Sequence, residues 1–264
     1  MARIAIFAYG VVVYLVFFVT FVYLFGFATG LFVPWTVDTG KPGPAWLALL
    51  VDVGLVALFG AQHAVMARPR FKQWWTRIIP PAAERTTFVL IATALSALLM
   101  WQWRPMPTVI WDVQLPAARM AIYGVCLLGI VLVFLSSFLI DHFDLFGLRQ
   151  VFLHLRRRPY THGPFVVRWL YRFIRHPLMT GFLLAFWATP TMTLGHLVFA
   201  EAFTIYILIG TRMEERDLVA QHGESYRAYQ RSTPRFFPRL RNRKPTAAAT
   251  PGQAGSLPEV ASSM

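Results

Sequence analysis

The stretch RHPLMTG, residues 175 to 181, sets Arg175 and His176 directly before an apolar run. Farther along, TRMEERDLVAQHG sets Glu214 and Glu215 directly after one. A guanidinium, an imidazole and paired carboxylates are the groups that hold anions, carry protons and neutralise cations. Pro177 suits the first position of a helix, whose N-terminal dipole favours an anionic group nearby. Two acids at a helix end are disfavoured by the same dipole, unless the helix runs on into the next segment. His63, in FGAQHAVMAR, closes another apolar run and falls at the same depth as Arg175 and His176. It reads equally as a proton carrier or as a structural histidine. Asp52, His196 and Glu201 also interrupt apolar sequence, and for these a structural hydrogen bond is the expectation.

The elements that must position these groups are membrane spans. The 264 residues are 56% hydrophobic and include 23 phenylalanines. Apolar blocks at 4 to 28, 45 to 67, 86 to 103 and 117 to 140 approach or exceed the roughly 20 residues that cross a bilayer. A further block, 177 to 210, is broken at Pro190 and reads as two shorter helices in a hairpin. The first block is longer than a signal-peptide core and lacks a small-residue cleavage pattern, so it is expected to stay as a span. Cys126 is the single cysteine and excludes a disulfide framework. The fold class expected is an all-α polytopic membrane bundle of six spans.

The net charge of +13 is distributed unevenly. Segment 68 to 85 carries Arg68, Arg70, Lys72, Arg77 and Arg85; segment 141 to 175 carries seven arginines; the stretch from Arg212 to Lys244 has nine basic residues. The alternate connections are poor in basic residues. With basic loops held inside, both termini are cytoplasmic. This topology accounts for the basicity without nucleic acid, and the reading includes neither nucleic acid nor a metal. Residues 1 to 140 form the N-terminal spans. Residues 141 to 238 form a cytoplasmic insertion, the hairpin and a C-terminal helix. The stretch 239 to 264, small and polar, has too little apolar surface to fold. Within the insertion, Phe143, Phe146, Val151 and Leu155 fit one face of a helix lying on the membrane surface. No internal repeat supports a transporter.

Taken in order, RHPLMTG, Glu214–Glu215, the Gly223, Tyr226, Tyr229 spacing and Pro234-Arg235-Phe236 with Pro238 resemble the isoprenylcysteine carboxyl methyltransferase superfamily, which includes NnrU-like proteins. The likeness covers roughly 163 to 238. It implies a pocket for S-adenosylmethionine capped by C-terminal helices, with no soluble dinucleotide-type domain. By position, the cofactor-binding residues are Phe165, Val166, Tyr171, His176, Pro177, Leu178, Met179, Gly181 and Glu214, with Gln150 as the upstream glutamine. Two departures stand out: Met179 replaces the motif's tyrosine, and Gly210 replaces the arginine that clamps a substrate carboxylate. FGAQHAVMARPRFKQWW and DHFDLFGLRQVFLHLRRRPY extend the resemblance to bacterial methanethiol S-methyltransferases, whose substrate has no carboxylate to clamp.

What the resemblance implies is methyl transfer from S-adenosylmethionine to methanethiol, forming dimethyl sulfide, at a membrane-embedded site in a bacterial inner membrane. Displacement at a sulfonium by a thiolate annihilates charge and gains from a dry, preorganised pocket. His63 or the Glu214–Glu215 pair is the expected base, with Arg175 or His176 stabilising the anion; His63, Glu215 and Arg175 are thus the catalytic candidates. Methylation of another small thiol or a prenylcysteine carboxylate, and an NADPH-dependent sterol-reductase-like reaction, are the competing enzyme readings. A small transporter or sensor, its arginines serving as lipid anchors, is the non-enzymatic alternative.

Overall fold

The computed structural model describes residues 1–161 and 169–238. In chain order the helices are α1 (Ala2–Thr29), α2 (Ala45–Met66), α3 (Pro69–Trp75), α4 (Glu84–Gln102), α5 (Pro116–Ile140), α6 (His142–Leu145), α7 (Leu148–Leu155), α8 (Pro177–Trp187), α9 (Leu194–His222) and α10 (Glu224–Ser232). Short 3₁₀ turns at Pro81–Ala83 and Trp169–Arg172 precede α4 and α8. Five of the described helices, α1, α2, α4 with its preceding turn, α5 and α9, have the length and apolar composition to cross a membrane. The sixth expected span is α8, whose 11 residues are too few to cross alone. The protein is an all-α polytopic membrane bundle.

Local chemistry sets the helix ends. Prolines open α3, α5 and α8, where a missing N–H is not felt. Gly30 ends α1 at φ 72°, its N–H donating to Gly26 O. Thr193 caps α9 by accepting from His196 N at 3.1 Å. At the end of the bundle away from the basic loops, strands β1 (Val109–Asp112) and β2 (Thr191–Thr193) pair antiparallel and tie the α4–α5 connection to the α8–α9 turn. The isolated ionisable residues of the apolar runs behave unequally. Asp52 accepts from Arg104 N at 2.9 Å, and His196 Nε2 donates to Phe186 O at 2.8 Å. Glu201 is exposed and lines a shallow groove with Trp187 and Phe237.

The core is aromatic. Phe25 stacks on Phe182, and Phe186, Phe199 and Phe203 follow with ring centroids 4.7–5.3 Å apart. Against this, α5 and α8 meet backbone to backbone. A Cβ on Gly129 would lie 2.7 Å from Gly181 O, and one on Gly181 would lie 2.6 Å from Gly129 O. Small residues allow such an approach in a bundle where lipid offers no hydrophobic drive. The crossing is the main support of α8 and fixes its starting residues.

The insertion does not lie free on the membrane surface as its pattern suggested. Val151 of α7 is fully buried against Gly10 of α1, where an added Cβ would come within 2.5 Å of Val151 Cγ2. Phe146 stacks on Phe17 at 4.1 Å, while Phe143 stays half exposed. The apolar face of α7 therefore brackets α1 to the α4 entrance rather than entering lipid.

Replacing Gly129 or Gly181 by Ala should destabilise the protein by about 1–3 kcal/mol, the usual range for overpacking. Gly54, whose added Cβ meets nothing within 4 Å, serves as the control. Thermal melting in detergent checks this: the first two variants should melt well below the third.

Candidate active site

The start of α8 is held by one buried carboxylate. Glu215, 4% exposed on α9, accepts from Arg175 Nε at 2.8 Å and from His176 Nε2 at 3.0 Å through Oε1. Its Oε2 accepts from Arg235 at 2.6 Å and from Gln230 at 3.3 Å. Burying a lone carboxylate is prohibitive, and this one is satisfied on both oxygens by two guanidinium groups. Because a carboxylate only accepts, His176 carries its hydrogen on Nε2 and turns Nδ1 toward Glu214, 3.7 Å from Oε2.

The same arginine ties in the C-terminal segment. Arg175 Nη1 donates to Gln230 O at 2.9 Å and also to Thr233 O. Arg175 N donates to Pro234 O at 2.9 Å and His176 N to Arg235 O at 3.0 Å. Thr180 Oγ1 donates to Phe236 O at 2.7 Å. Residues 234–236 thus run alongside the RHP segment as an extended strap. Tyr226 of α10 is buried, and the Tyr229 hydroxyl donates to Tyr171 O. RHP and PRF, far apart in sequence, are one hydrogen-bonded unit.

Beside this unit lies a cavity of about 1100 Å³. One wall is Tyr171, Arg175, His176, Leu178, Met179 and Glu214, with Tyr226 and Tyr229 from α10. The opposite wall is the end of α5 and the insertion, from Phe138 to Leu145, with Arg149, Gln150 and Tyr160. Lys72, Glu84 and Arg85 close a third side. The insertion wall is rigid. His142 bridges Tyr14 and Ser137 at 2.8 and 2.9 Å and stacks on Phe138 at 4.2 Å. Ser137 donates to Phe134 O, so it accepts from His142 Nδ1, and Tyr14 donates to Nε2. Burial lowers the pKa of His142, in keeping with a neutral ring. Asp144 accepts from Arg149 at 3.2 Å and from Tyr160 at 3.1 Å. Asp141 sits at φ 154°, a strained conformation for a residue with a side chain. Two buried polar atoms in the lining, Tyr171 Oη and Gln150 Oε1, have no hydrogen-bond partner among the described residues. Burial pushes the Tyr171 phenol up, so it remains protonated.

The structure gathers Gln150, Tyr171, Arg175, His176, Leu178, Met179 and Glu214 around the cavity. Phe165 and Val166 lie outside the described residues. Pro177 and Gly181 do not line the cavity: both are buried at the start of α8, and Gly181 faces Gly129. The catalytic candidates separate. Glu215 is locked beneath the cavity by its four donors, and Arg175 is committed to it. His63 stands elsewhere, among Phe59, Phe88 and Tyr206 at centroid distances of 4.3, 5.1 and 5.9 Å, its Nδ1 bonded to Phe59 O. Equal depth in the membrane did not mean adjacency, because α2 faces α4 and α9 rather than α8. Phe138, His142, Asp144, Lys72, Glu84 and Arg85 also line the cavity; the sequence signals only His142, Asp144 and Lys72 among them, through charge and aromatics crowded into DHFDLF and RPRFKQWW.

The NnrU protein family matches residues 51–249 of this sequence. The chain belongs to that family. As an NnrU-family protein it is 51% identical over 230 residues to the methanethiol S-methyltransferase of Mycobacterium tuberculosis, covering 87% of this chain and 94% of that protein. To methanethiol S-methyltransferase 2 of Bradyrhizobium diazoefficiens it is 49% identical over 245 residues, 93% of this chain and 94% of the relative. A more distant relative is Nurim of Bos taurus, 27% identical over 202 residues, 69% of this chain and 76% of that one. No solved structure gives a significant match. The bacterial relatives are enzymes of the methyltransferase class, and so is this NnrU-family chain.

Arg175→Ala should strip Glu215 of its more buried guanidinium partner and destabilise the protein by about 3–5 kcal/mol, as loss of one buried partner does. Glu201→Gln, on the exposed face of α9, should leave the melting temperature within a degree or two. Melting curves with near-ultraviolet circular dichroism check both.

Proposed function

We propose that this protein transfers a methyl group from S-adenosylmethionine to methanethiol, yielding dimethyl sulfide. The observation that carries the reading is the cavity itself, in which Glu214 and the open Nδ1 of His176 meet unpaired polar atoms and apolar walls. Its volume of about 1100 Å³ lies just above the range of roughly 300 to 1,000 Å³ usual for small-molecule sites. A nucleoside-sized cofactor and a very small substrate fit together in that space. Tyr171 Oη and Gln150 Oε1 offer unused hydrogen-bonding capacity to the cofactor's polar groups, and Leu178, Met179 and Phe138 offer apolar surface to its base. S-adenosylmethionine supplies an electrophilic methyl group on a sulfonium.

The chain's own residues hold the reactants and manage one proton. A thiol is largely protonated at neutral pH, and the thiolate is the nucleophile. His176, oriented by Glu215 on Nε2, takes the thiol proton at Nδ1. Glu214 Oε2, 3.7 Å away, stabilises the imidazolium that forms. An imidazole is better matched to this task near neutral pH than a carboxylate is. The base is therefore the His176–Glu214 pair; His63 is not among the residues lining the cavity, and Glu215 orients rather than reacts. The residue at the position of the carboxylate clamp supports a substrate without a carboxylate: Gly210 has no side chain to hold one. With the basic segments inside, both termini and the cavity face the cytoplasm of a bacterial inner membrane, and lipid-soluble thiol enters from the bilayer side. Residues 141–238 hold the proton-handling groups, completed by the N-terminal spans.

Cells producing the protein and fed methanethiol should release dimethyl sulfide into the headspace above vector controls; equal release would reject the substrate assignment. His176→Gln should lower kcat by about 10²-fold or more, within the range for loss of a general base. His63→Phe should retain turnover within a few-fold, as read by the same headspace assay with purified protein.

A further inference from the structure

Besides the motif wall, the cavity has a side contributed by the segment between α2 and α4. Lys72 on α3, Glu84 at the start of α4 and its neighbour Arg85 all line it. Among the described residues neither Lys72 nor Glu84 makes a side-chain hydrogen bond or an ion pair. The other cations around the cavity are engaged. Arg175 is held by Glu215 at 2.8 Å, and Arg149 by Asp144 at 3.2 Å and by the ring of Tyr160. Arg85 is fixed by its Nε to Leu145 O at 2.7 Å and by the ring of Phe88, 4.7 Å below its guanidinium carbon. Its anchored position aims a fixed positive charge at this side. An ammonium and a carboxylate that make no hydrogen bond or close ion pair, beside the pinned guanidinium of Arg85 that shares its field with Glu84, complement a ligand end that carries both charges: an α-amino acid zwitterion.

We propose that Lys72 and Glu84 form the subsite for the amino acid end of the cofactor. Lys72 binds the α-carboxylate with Arg85 reinforcing the positive potential, and Glu84 accepts from the α-ammonium. This rests on the S-adenosylmethionine reading and adds a third wall, from the N-terminal half of the chain, to the pocket defined by the C-terminal motifs. The subsite gives the two halves a shared ligand. The apolar walls take the nucleoside, and the charged side makes the pocket discriminate an intact amino acid tail from a bare thionucleoside.

Two nucleoside probes separate this role from a merely structural one. S-adenosylhomocysteine keeps the zwitterion, whereas 5′-methylthioadenosine lacks both charges. Lys72→Met and Glu84→Gln should each weaken S-adenosylhomocysteine binding about 10- to 100-fold, the scale of a lost charge-assisted hydrogen bond. Binding of 5′-methylthioadenosine should change less than about 2-fold. Isothermal titration in detergent micelles reads both, and Lys72→Arg should recover most of the lost affinity. Unchanged affinity for S-adenosylhomocysteine in Lys72→Met overturns the proposal, as does an equal loss for both probes. If the unsubstituted protein binds neither probe, the methyl-donor reading itself fails and the subsite falls with it.

Discussion

One buried carboxylate organises this protein's chemistry. Glu215 collects Arg175 and His176 from the head of α8, Gln230 from α10 and Arg235 from the strap. Each of these groups would be costly to bury alone, and together they are satisfied. Because Arg175 also accepts the task of binding two carbonyls of the C-terminal segment, the ion pair orients backbone as well as side chains. Without it α10 and the strap would be attached here only by main-chain bonds and by the hydroxyls of Thr180 and Tyr229.

A second constraint is the close crossing of α5 and α8. Glycine on both helices brings the backbones into contact, so the first turn of α8 is placed relative to the end of α5 with little freedom. The end of α5 leads directly into Asp141 and His142, which form the facing wall. Both walls of the cavity are thereby referred to one helix pair. The aromatic core around Phe186 and Phe199 keeps that pair against α1 and α9.

Much of this was readable in residue order. The long apolar blocks define the five long helices, and Pro190 marks the turn before α9. RHP and Glu214–Glu215 lead to the site because chemistry-bearing side chains rarely border apolar runs without purpose. Which of two adjacent glutamates is sealed and which is open is decided by helix rotation, and sequence spacing does not supply that. His63 illustrates the same limit in another form: depth along a span is legible, azimuth around the bundle is not. The role of Gly181 is likewise a matter of the third dimension. It borders the motif in sequence, but its missing side chain serves helix contact with Gly129. Lys72 and Glu84 were visible only as members of a basic loop, since nothing local distinguishes a charge facing a cavity from one facing water.

The strap has a consequence for how the protein comes into being. Arg175, His176 and Thr180 leave the ribosome well before Pro234, Arg235 and Phe236, whose carbonyls accept hydrogen bonds from them. Chains grow at about 5–20 residues per second, and membrane helices can settle while the remainder is still being made. The bundle and its glycine crossing can form early, yet the start of α8 acquires its fixed neighbours only when residues 230–236 arrive. Assembly of the membrane frame and maturation of the site are thus separate events in time. Residues 234–236 act as the fastening that joins the end of the chain's helical bundle to the start of α8.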